Sequence, residues 1–158
     1  MSVDAITVRE AVASDAKGMS AVLEPIIRGW NSDRRYDPEH ILERYITDPQ
    51  RVRCSVAVDA SGEILGFQSL KRAFAGNPYD VTTGWGIIGT YVKPGLGRRG
   101  VGTALFAASL EAAKAAGLPA IDASIGETNQ LGLAYYEAMG FREYRRHGSA
   151  ICKRYVVG

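Results

Sequence analysis

The sequence predicts an α+β (mixed α/β) fold: a central mixed, mostly antiparallel twisted sheet of about seven strands flanked by about four helices. Three observations lead to this prediction. Seven runs have strand-like composition, four segments have helical periodicity or helix caps, and together they follow the order β-α-α-β-β-β-α-β-α-β-β. The length of 158 residues, with 46% of them hydrophobic, is typical of one domain with a sizeable core, so we expect a single domain over residues 1–158.

The first strand is predicted at "AITVREA", and the helix that follows in "SDAKGMSAVLEPIIRGW" has Ser14 as its expected N-cap. Pro25 lies inside this helix and is expected to kink or break it, because proline has no backbone N–H and its ring crowds the preceding turn. A second, short helix is predicted at Asp37, since an aspartate followed by a proline is typical of an N-cap and a first helical residue.

The middle of the chain predicts a hairpin followed by a further strand and a helix. In "RVRCSVAVDASGEILGFQSLKRAF" a turn at Ala60 to Gly62 separates two β-rich runs, and "AGNPYD" then interrupts the pattern. A strand is expected from about Gly84 to Val92, and an alanine-rich helix is expected from Gly100 to Ala116, ending at Gly117. The remaining predicted elements are the strand "PAIDASIG", the helix "NQLGLAYYEAMGF" and two closing strands, "FREYRR" and "AICKRYVV".

Composition narrows the classes of partner. Lys and Arg number 19 against 17 Asp and Glu, a balance that disfavours nucleic acid and anionic membranes. No apolar run approaches the roughly 18 residues of a membrane span, and the opening residues lack a secretion signal, so we expect a cytoplasmic protein. Cys54 and Cys152 lie in strand-like runs without a C-x-x-C motif or a nearby histidine, which predicts two reduced core thiols and no metal site.

The stretch "YVKPGLGRRGVGTALF" contains a glycine loop that runs into a helix. A glycine-lined turn at a helix N-terminus is suited to phosphate, and Arg98 and Arg99 add two positive charges. A turn whose glycines serve only the backbone angles is one alternative. A dinucleotide site is another, since Gly95, Gly97 and Gly100 fit G-x-G-x-x-G.

The dinucleotide alternative needs an acidic residue for the ribose, and Asp122 follows Gly100 by 22 residues. Asp122, however, lies inside a predicted strand instead of at its end. The sequence also offers one β-α-β crossover where a dinucleotide fold requires several. Both points disfavour NAD.

Two motifs resemble those of the GNAT superfamily of acyl-CoA-dependent N-acyltransferases. Val92 to Leu105 is similar to its pattern V-x-P-x-x-R-G-x-G-x-G-x-x-L, and Asn129 with Tyr136 to Phe141 is similar to its loop asparagine and the helix end Y-E-x-x-G-F. The resemblance covers nearly the whole chain and is closest to the branch that includes phosphinothricin and methionine sulfoximine acetyltransferases. Gly97 replaces an arginine or glutamine of the pattern, and Ile87, which precedes it, stands where that branch tends to carry a glutamate as general base.

The resemblance implies a fold, a donor and a reaction: a GNAT-like sheet, acetyl-CoA, and direct attack of a small-molecule or amino-acid amine in a ternary complex. The pyrophosphate is expected on backbone N–H groups of the loop, and the pantetheine arm beside Tyr91 and Val92, where an N–H group polarises the carbonyl. The cofactor-binding residues expected from the resemblance are Tyr91, Val92, Gly97, Arg98, Arg99, Gly100, Val101, Gly102, Thr103, Asn129 and Tyr136. We expect a valine at Gly102 to prevent binding of coenzyme A and to leave a folded protein.

The catalytic residues that the resemblance implies are Tyr136, as the acid that protonates the departing thiolate, and Asn129, which contacts the pantetheine amide or a water. Each also has a structural interpretation. Tyr136 has the spacing of a buried helix face, and Asn129 precedes a helix as an ordinary cap. Tyr135, the neighbour of Tyr136, is expected to point to a different side of the helix. Because Ile87 replaces the usual base, the candidates for that role are Glu127, His147, Asp80 and a chain of waters.

The acceptor pocket is expected between the first two helices and the loop before the strand at Gly84. Aromatic residues are the candidates to line it: Trp30, Tyr36, Phe74, Tyr79 and Trp85. A homodimer is a further expectation. Ile87 also supports an alternative from another class, a non-catalytic acyl-CoA-binding or regulatory domain.

Overall fold

The computed structural model describes residues 5–96 and 100–158, and within these ranges the chain forms seven strands and four helices in the predicted order. The strands are β1 (Thr7–Glu10), β2 (Arg51–Val58), β3 (Ile64–Arg72), β4 (Gly86–Val92), β5 (Ala120–Gly126), β6 (Arg142–His147) and β7 (Ala150–Val156). The helices are α1 (Ala16–Gly29), α2 (Pro38–Ile41), α3 (Val101–Ala115) and α4 (Gln130–Met139). A 3-10 turn, Ala13–Asp15, leads into α1, and a π-helical turn, Leu42–Ile46, continues α2.

The strands form one mixed sheet in the order β1-β2-β3-β4-β5-β7-β6, which confirms the predicted fold class. Only β4 and β5 pair in parallel among the described strands, and they do so at their beginnings, Gly86 with Ile121 and Ile87 with Asp122. β4 stays paired with β3 as far as Val92 and β5 with β7 as far as Gly126, but the pairing of β4 with β5 ends at Ile87 and Asp122. The second halves of β4 and β5 are therefore not bonded to each other, and an opening forms between them.

The two faces of the sheet carry different helices. α1, α2 and the π-helical turn cover one face, here called the α1 face, where Phe67 and Tyr91 pack with Tyr45. α3 and α4 cover the other, the α3 face, where Phe106, Tyr136 and Phe141 join the core with strand residues. β4 contributes to both faces because its side chains alternate, so it lies between the two halves of the core.

Two local expectations about α1 are wrong. Ser14 does not cap the helix: the chain enters through the 3-10 turn, where Asp15 accepts hydrogen bonds from the Val12 N–H at 2.8 Å and from the Arg9 guanidinium. Pro25 does not end the helix, which continues to Gly29. Ala21 and Pro25 are both exposed, so the carbonyl that loses its helical donor faces water.

Two other local expectations, at Asp37 and at the cysteines, are confirmed. The Asp37 carboxylate accepts the His40 N–H at 3.1 Å as an N-cap of α2. Cys54 and Cys152 are buried free thiols, and burial raises the pKa of Cys54 to about 12. In the ranges described, no helix is long and apolar enough to cross a membrane.

Candidate active site

The opening between β4 and β5 presents free backbone groups. Lys93 donates its N–H to Leu65 of β3 at 2.9 Å. Since successive residues of a strand direct their N–H groups to opposite edges, the N–H groups of Val92 and Thr90 point away from β3, toward the opening. Tyr91 and Val92, both predicted site residues, thus lie on its rim. Their side chains pack on opposite faces, Tyr91 with Phe67 and Val92 with the cluster around Val101.

The helix α3 begins beside this rim. Gly100 precedes it in the left-handed conformation, at φ +80°, and a Cβ atom there would have no atom of the described residues within 4 Å. The first helical hydrogen bond joins the Ala104 N–H to the Gly100 carbonyl, so the N–H groups of Val101, Gly102 and Thr103 have no acceptor within the helix. The remaining loop residues of the prediction, Gly97, Arg98 and Arg99, lie outside the described residues.

Gly102 has a different role from the one expected. A Cβ atom at this position would lie 2.6 Å from Cε1 of Tyr135 on α4, not in the space before the helix. The missing side chain therefore allows α3 and α4 to pack closely. A valine at Gly102 would displace the Tyr135 ring, so we expect it to lower the stability of the fold.

Tyr136 lies on the α3 face with 6% of its surface exposed. Its ring packs against Phe141, with 5.1 Å between centroids, and its hydroxyl oxygen is 2.7 Å from Oγ1 of Thr90 on β4. Burial raises the pKa of Tyr136 above its ordinary value, and the hydrogen bond with Thr90 acts against that rise. The residue thus packs in the core and also presents a hydrogen-bonded hydroxyl to β4.

Tyr135 also points toward this network, contrary to expectation. Its hydroxyl donates to the Gly102 carbonyl at 2.7 Å and accepts a hydrogen bond from Nε2 of Gln68 at 3.0 Å. Burial raises the pKa of Tyr135 to about 12. Gln68 is fully buried and also reaches Thr90, at 2.8 Å. The sequence reasoning missed both Gln68 and Thr90, and a polar side chain inside the apolar run "GFQSL" was the available signal.

The second motif fixes the position of α4. Asn129 caps the helix, because its side-chain oxygen accepts the Gly132 N–H at 3.0 Å, as expected of an ordinary cap. At the other end of the helix, Gly140 has φ +104°. Glu137 accepts a hydrogen bond from Nζ of Lys153 on β7 at 2.6 Å, which ties α4 to the sheet. The Asn129 amide nitrogen makes no hydrogen bond with any group in the described ranges.

Asp122 lies beside Ile87 in the parallel register of β5 and β4. Its side chain is fully buried and accepts hydrogen bonds from the Tyr144 hydroxyl, from Arg145 at 3.3 Å and from Ser124 at 3.1 Å. The oxygens of this carboxylate therefore already accept hydrogen bonds from protein side chains, and the carboxylate is not accessible to a ribose. The geometry disfavours the dinucleotide alternative.

The other candidate bases are not brought beside Ile87 by any contact of the described residues. Glu127 is half exposed and lies 3.8 Å from the Arg146 guanidinium. His147 is exposed at the end of β6. Asp80 is exposed with φ +56°, in the loop before β4. Across the part of the chain described here, no group of three His, Cys, Asp or Glu residues is placed to hold a metal ion.

The candidate aromatic residues separate into two groups. On the helix side, the Arg34 guanidinium lies 5.7 Å from the Trp30 ring and donates to the Tyr91 hydroxyl at 3.1 Å. The Tyr36 hydroxyl accepts instead from Arg28, at 3.1 Å. On the β5 side, Trp85 packs against Tyr144 at 5.7 Å, and Arg145 donates to the Tyr79 carbonyl at 2.9 Å. Phe74 is 49% exposed and joins neither group.

Strand β4 runs between these two groups of residues. Its residues Ile87, Gly89 and Tyr91 alternate onto the α1 face, and Gly89 has no side chain there. A Cβ atom at Gly89 would have the Tyr91 hydroxyl as its nearest neighbour, at 3.4 Å. At Gly89 the backbone of β4 therefore carries no side chain beside the Tyr91 hydroxyl, next to the opening between β4 and β5.

Known proteins match this chain in family and fold. No curated protein matches the sequence. Solved structures do: a GCN5-related N-acetyltransferase from Kribbella flavida has a TM-score of 0.78 at 23% identity, covering 98% of this chain and 99% of its own. PaiA N-acetyltransferase from Thermoplasma acidophilum, in complex with coenzyme A, has a TM-score of 0.77 at 18% identity, covering 96% and 99%.

A phosphinothricin acetyltransferase from Sinorhizobium meliloti, in complex with acetyl-CoA, has a TM-score of 0.76 at 20% identity, covering 97% of this chain and 89% of its own. At these identities the structures establish a shared fold. The sequence profile of the acetyltransferase (GNAT) family matches residues 20–141, which include β4, the glycine loop, α3 and α4. The chain therefore belongs to the GNAT family of acetyltransferases.

Proposed function

We propose that the protein is an N-acetyltransferase that moves the acetyl group of acetyl-CoA to the primary amine of a small molecule or amino acid, by direct attack in a ternary complex. The observation that carries the proposal is the opening between β4 and β5. It brings together a strand edge with free N–H groups, the N-terminus of α3 and a helix that carries Tyr136. The coenzyme A and acetyl-CoA complexes of two neighbours support this choice of donor.

The residues at the start of α3 fit a pyrophosphate. The N–H groups of Val101, Gly102 and Thr103 have no helical acceptor, and the helix dipole adds partial positive charge there. Open space around Gly100 lets an anion approach the backbone closely. Gly97, Arg98 and Arg99 complete the proposed loop. Tyr91 and Val92 then align the pantetheine arm along the free edge of β4, and the Asn129 amide contacts that arm or an ordered water.

The proposed chemistry is aminolysis of a thioester. The Val92 N–H stabilises the negative charge that develops on the carbonyl oxygen. The lone pair of the neutral amine forms the new C–N bond, the C–S bond breaks, and its electron pair leaves with the sulfur. Tyr136 donates its proton to that sulfur and later regains one from solvent. Water takes the proton that the amine loses, since Ile87 has no titratable group and Asp122 is fully hydrogen-bonded.

The acceptor is proposed to bind on the α1 face above Gly89. In this proposal Trp30 and Arg34 border the acceptor site on the helix side, and Trp85 and Tyr79 border it on the β5 side. Aromatic walls suit a small amine with an apolar part. The likeness to a phosphinothricin acetyltransferase supports a small-molecule acceptor.

Two assays test the proposal. Thermal stability is measured with acetyl-CoA, coenzyme A and NAD, because a ligand at 100 times its Kd stabilises a fold by about 2.7 kcal/mol. A panel of amines and amino acids is then screened with acetyl-CoA for free thiol release. Stabilisation by acetyl-CoA together with amine-dependent thiol release is the expected result, and stabilisation by NAD alone would refute the proposal.

A second candidate function is a non-catalytic acyl-CoA-binding or regulatory domain. The observation in its favour is Ile87, together with the engagement of the neighbouring Asp122 by three donors. The same screen separates the two functions. Tight binding of acetyl-CoA without thiol release for any amine, at any pH from about 6 to 10, would favour the regulatory domain.

We further propose that residues 1–158 act as one domain and that the protein is a cytoplasmic homodimer. Nearly balanced charge and the reduced, buried thiols support the compartment. Sedimentation equilibrium of the purified protein tests the dimer, and a mass equal to one chain of 17.0 kDa would refute it.

A further inference from the structure

Tyr136 and Gln68 are linked through Thr90 by a short chain of hydrogen bonds across β3, β4 and α4. Nε2 of Gln68 is 2.8 Å from Oγ1 of Thr90, and that oxygen is 2.7 Å from the Tyr136 hydroxyl. A hydroxyl both donates and accepts, so distances alone do not define where the protons point. The surrounding groups define the direction of the chain as far as Thr90.

The direction of the chain follows from Gly102. Its carbonyl can only accept, so the Tyr135 hydroxyl, 2.7 Å away, donates to it. Tyr135 must then accept from Gln68, and the Gln68 atom 3.0 Å from it is the amide nitrogen. The same nitrogen donates its second proton to Thr90. Both protons of the Gln68 amide are thereby used, and its buried Oε1 has no partner among the described residues.

Thr90 therefore receives a proton on one side and keeps its own hydroxyl proton for another acceptor. The Tyr136 oxygen, 2.7 Å away, is the hydrogen-bond partner of the Thr90 hydroxyl on that side. Two arrangements exist: Thr90 donates to Tyr136, or Tyr136 donates to Thr90. Only in the first arrangement is the Tyr136 hydroxyl proton free to be donated outside the protein. A sulfur anion next to Tyr136 would accept that proton and so favour the first arrangement.

We propose that Thr90 is a positioning residue for the proton donor: Gln68 donates to Thr90 and leaves the Thr90 proton for Tyr136, and Thr90 then donates to the Tyr136 oxygen, so that the Tyr136 proton points to the leaving sulfur. This inference rests on the proposed function. When Tyr136 gives up its proton to the sulfur, the phenolate that remains is buried, and the Thr90 hydroxyl stabilises it by donating to it. Without Thr90 the negative charge would lack this donor in an apolar core.

The need for such a donor follows from the acidities involved. The ordinary pKa is about 8.5 for a thiol and about 10 for a phenol. Burial raises the pKa of Tyr136 further, which makes the phenol a weaker acid toward a thiolate. The Thr90 hydrogen bond lowers that pKa and narrows the difference. The titratable groups whose negative charge, when they are ionised, would raise the pKa of Tyr136 further are Tyr135 on its own helix, Tyr91 on β4 and Asp122 on β5.

The kinetic test is a double-mutant cycle. Thr90→Val keeps the branched shape and removes the donor, so kcat should fall about 10- to 100-fold, the size of a hydrogen bond to a charged group, with the Kd for acetyl-CoA unchanged. Thr90→Ser should restore kcat. In the Tyr136→Phe background, Thr90→Val should have no further effect. Gln68→Met should lower kcat less than Thr90→Val does, and only when Tyr136 is present.

A binding measurement gives a readout without turnover. The thiol of bound coenzyme A is titrated by the ultraviolet absorbance of its thiolate. A Tyr136 proton aimed at the sulfur lowers the pKa of that thiol, and Thr90→Val and Tyr136→Phe should both raise it toward its free value. Thr90→Ala serves as a second variant without the donor if the valine variant does not fold.

The outcomes separate the two proposals. If coenzyme A does not bind to the wild type, the proposed function fails, and this inference fails with it. If coenzyme A binds and Thr90→Val leaves both kcat and the thiol pKa unchanged, the proposed function stands and the role of Thr90 is refuted. A loss in kcat that persists at full size in the Tyr136→Phe background would also refute it, because the effect would then be structural.

Discussion

The Tyr135 ring occupies the space that a side chain at Gly102 would fill: a Cβ atom on Gly102 would lie 2.6 Å from Cε1 and 3.2 Å from Cδ1 of that ring. This contact joins the first turn of α3 to the middle of α4. The two helices that border the proposed donor site are thus held at a fixed spacing by the lack of one methyl group.

The first prediction is that Gly102→Ala destabilises the fold. Extra atoms in a well-packed site typically cost about 1–3 kcal/mol, and the Tyr135 ring, whose hydroxyl is bonded on two sides, has little freedom to move. Urea unfolding measures the change. Gly29→Ala is the control, because a Cβ atom there has no neighbour within 4 Å. Equal stability of the two variants would contradict the prediction.

The second prediction concerns Gly100, whose left-handed conformation orients the N–H groups at the start of α3. Alanine disfavours that conformation by roughly 1–2 kcal/mol, so the loop relaxes and must be restored when phosphate binds. We expect Gly100→Ala to weaken acetyl-CoA binding about 5- to 30-fold. Asparagine, which tolerates this conformation better, should weaken it less. Isothermal titration calorimetry measures both.

Gly117 provides a matched control at the opposite end of α3. It also has a positive φ, +72°, and a Cβ atom there would meet no atom within 4 Å. Gly117→Ala should therefore lose a similar amount of stability while keeping its affinity for acetyl-CoA. A similar loss of affinity in both variants would mean that general strain, not the start of α3, determines binding.

Features of the fold that depend on neighbouring residues were predictable from the sequence. Gly100 and Gly117 bound α3 as expected, and Asp37 caps α2 three residues before the N–H group that it accepts. The cap at Ser14 and the helix break at Pro25 were wrong predictions because groups outside helix α1 decide those positions. Arg9 on β1 fixes Asp15 in the turn before α1, and water, not protein, faces the carbonyl opposite Pro25.

The candidate site divides in the same way. The glycine loop, Asn129 and Tyr136 follow from motifs that are contiguous in the chain. The partners of Tyr136 do not, because Gln68 and Thr90 meet it only after β3 and β4 pair and α4 packs on them. Asp122 was considered only as a ribose ligand, since two of its three donors, Tyr144 and Arg145, lie in β6 and nothing near Asp122 in the sequence indicates them.

The third prediction is a pH dependence of stability at Asp15. The Arg9 guanidinium, followed by the Val12 N–H, holds the pKa of Asp15 below its ordinary value despite its burial. The unfolded state then binds more protons than the folded state near and below about pH 4. The stabilisation is therefore complete above that pH and is lost as the pH falls through the folded pKa. Asp15→Asn should flatten the acid side of the profile, measured by urea midpoints at successive pH values.

Arg9→Met offers a graded comparison, because it removes the ion pair and keeps the hydrogen bond from the Val12 N–H. Its acid profile should fall between those of the wild type and Asp15→Asn. The Arg9 side chain is 44% exposed, so water and salt screen its contribution and we expect a modest change. An acid profile of Asp15→Asn that is identical to the wild type would contradict the assignment.

The last prediction concerns Tyr136, whose hydroxyl bonds Thr90 while its ring packs in the core. Tyr136→Phe keeps the ring and removes the hydroxyl. If the hydroxyl protonates the departing thiolate, kcat should fall roughly 10²- to 10⁴-fold with the Kd for acetyl-CoA nearly unchanged. Because burial raises the pKa of Tyr136, the residue stays protonated up to about pH 10, and its ionisation should not lower kcat in that range.

Tyr135→Phe is the control: it removes a hydroxyl from the same network, so stability should fall by about 0.5–1.5 kcal/mol while kcat changes less than in Tyr136→Phe. The measurement is kcat of the three proteins with the best amine, from about pH 6 to 10, after a pre-steady-state burst test has established that chemistry limits turnover. An unchanged kcat in Tyr136→Phe under that condition would remove the residue from the mechanism and leave it a packing role alone.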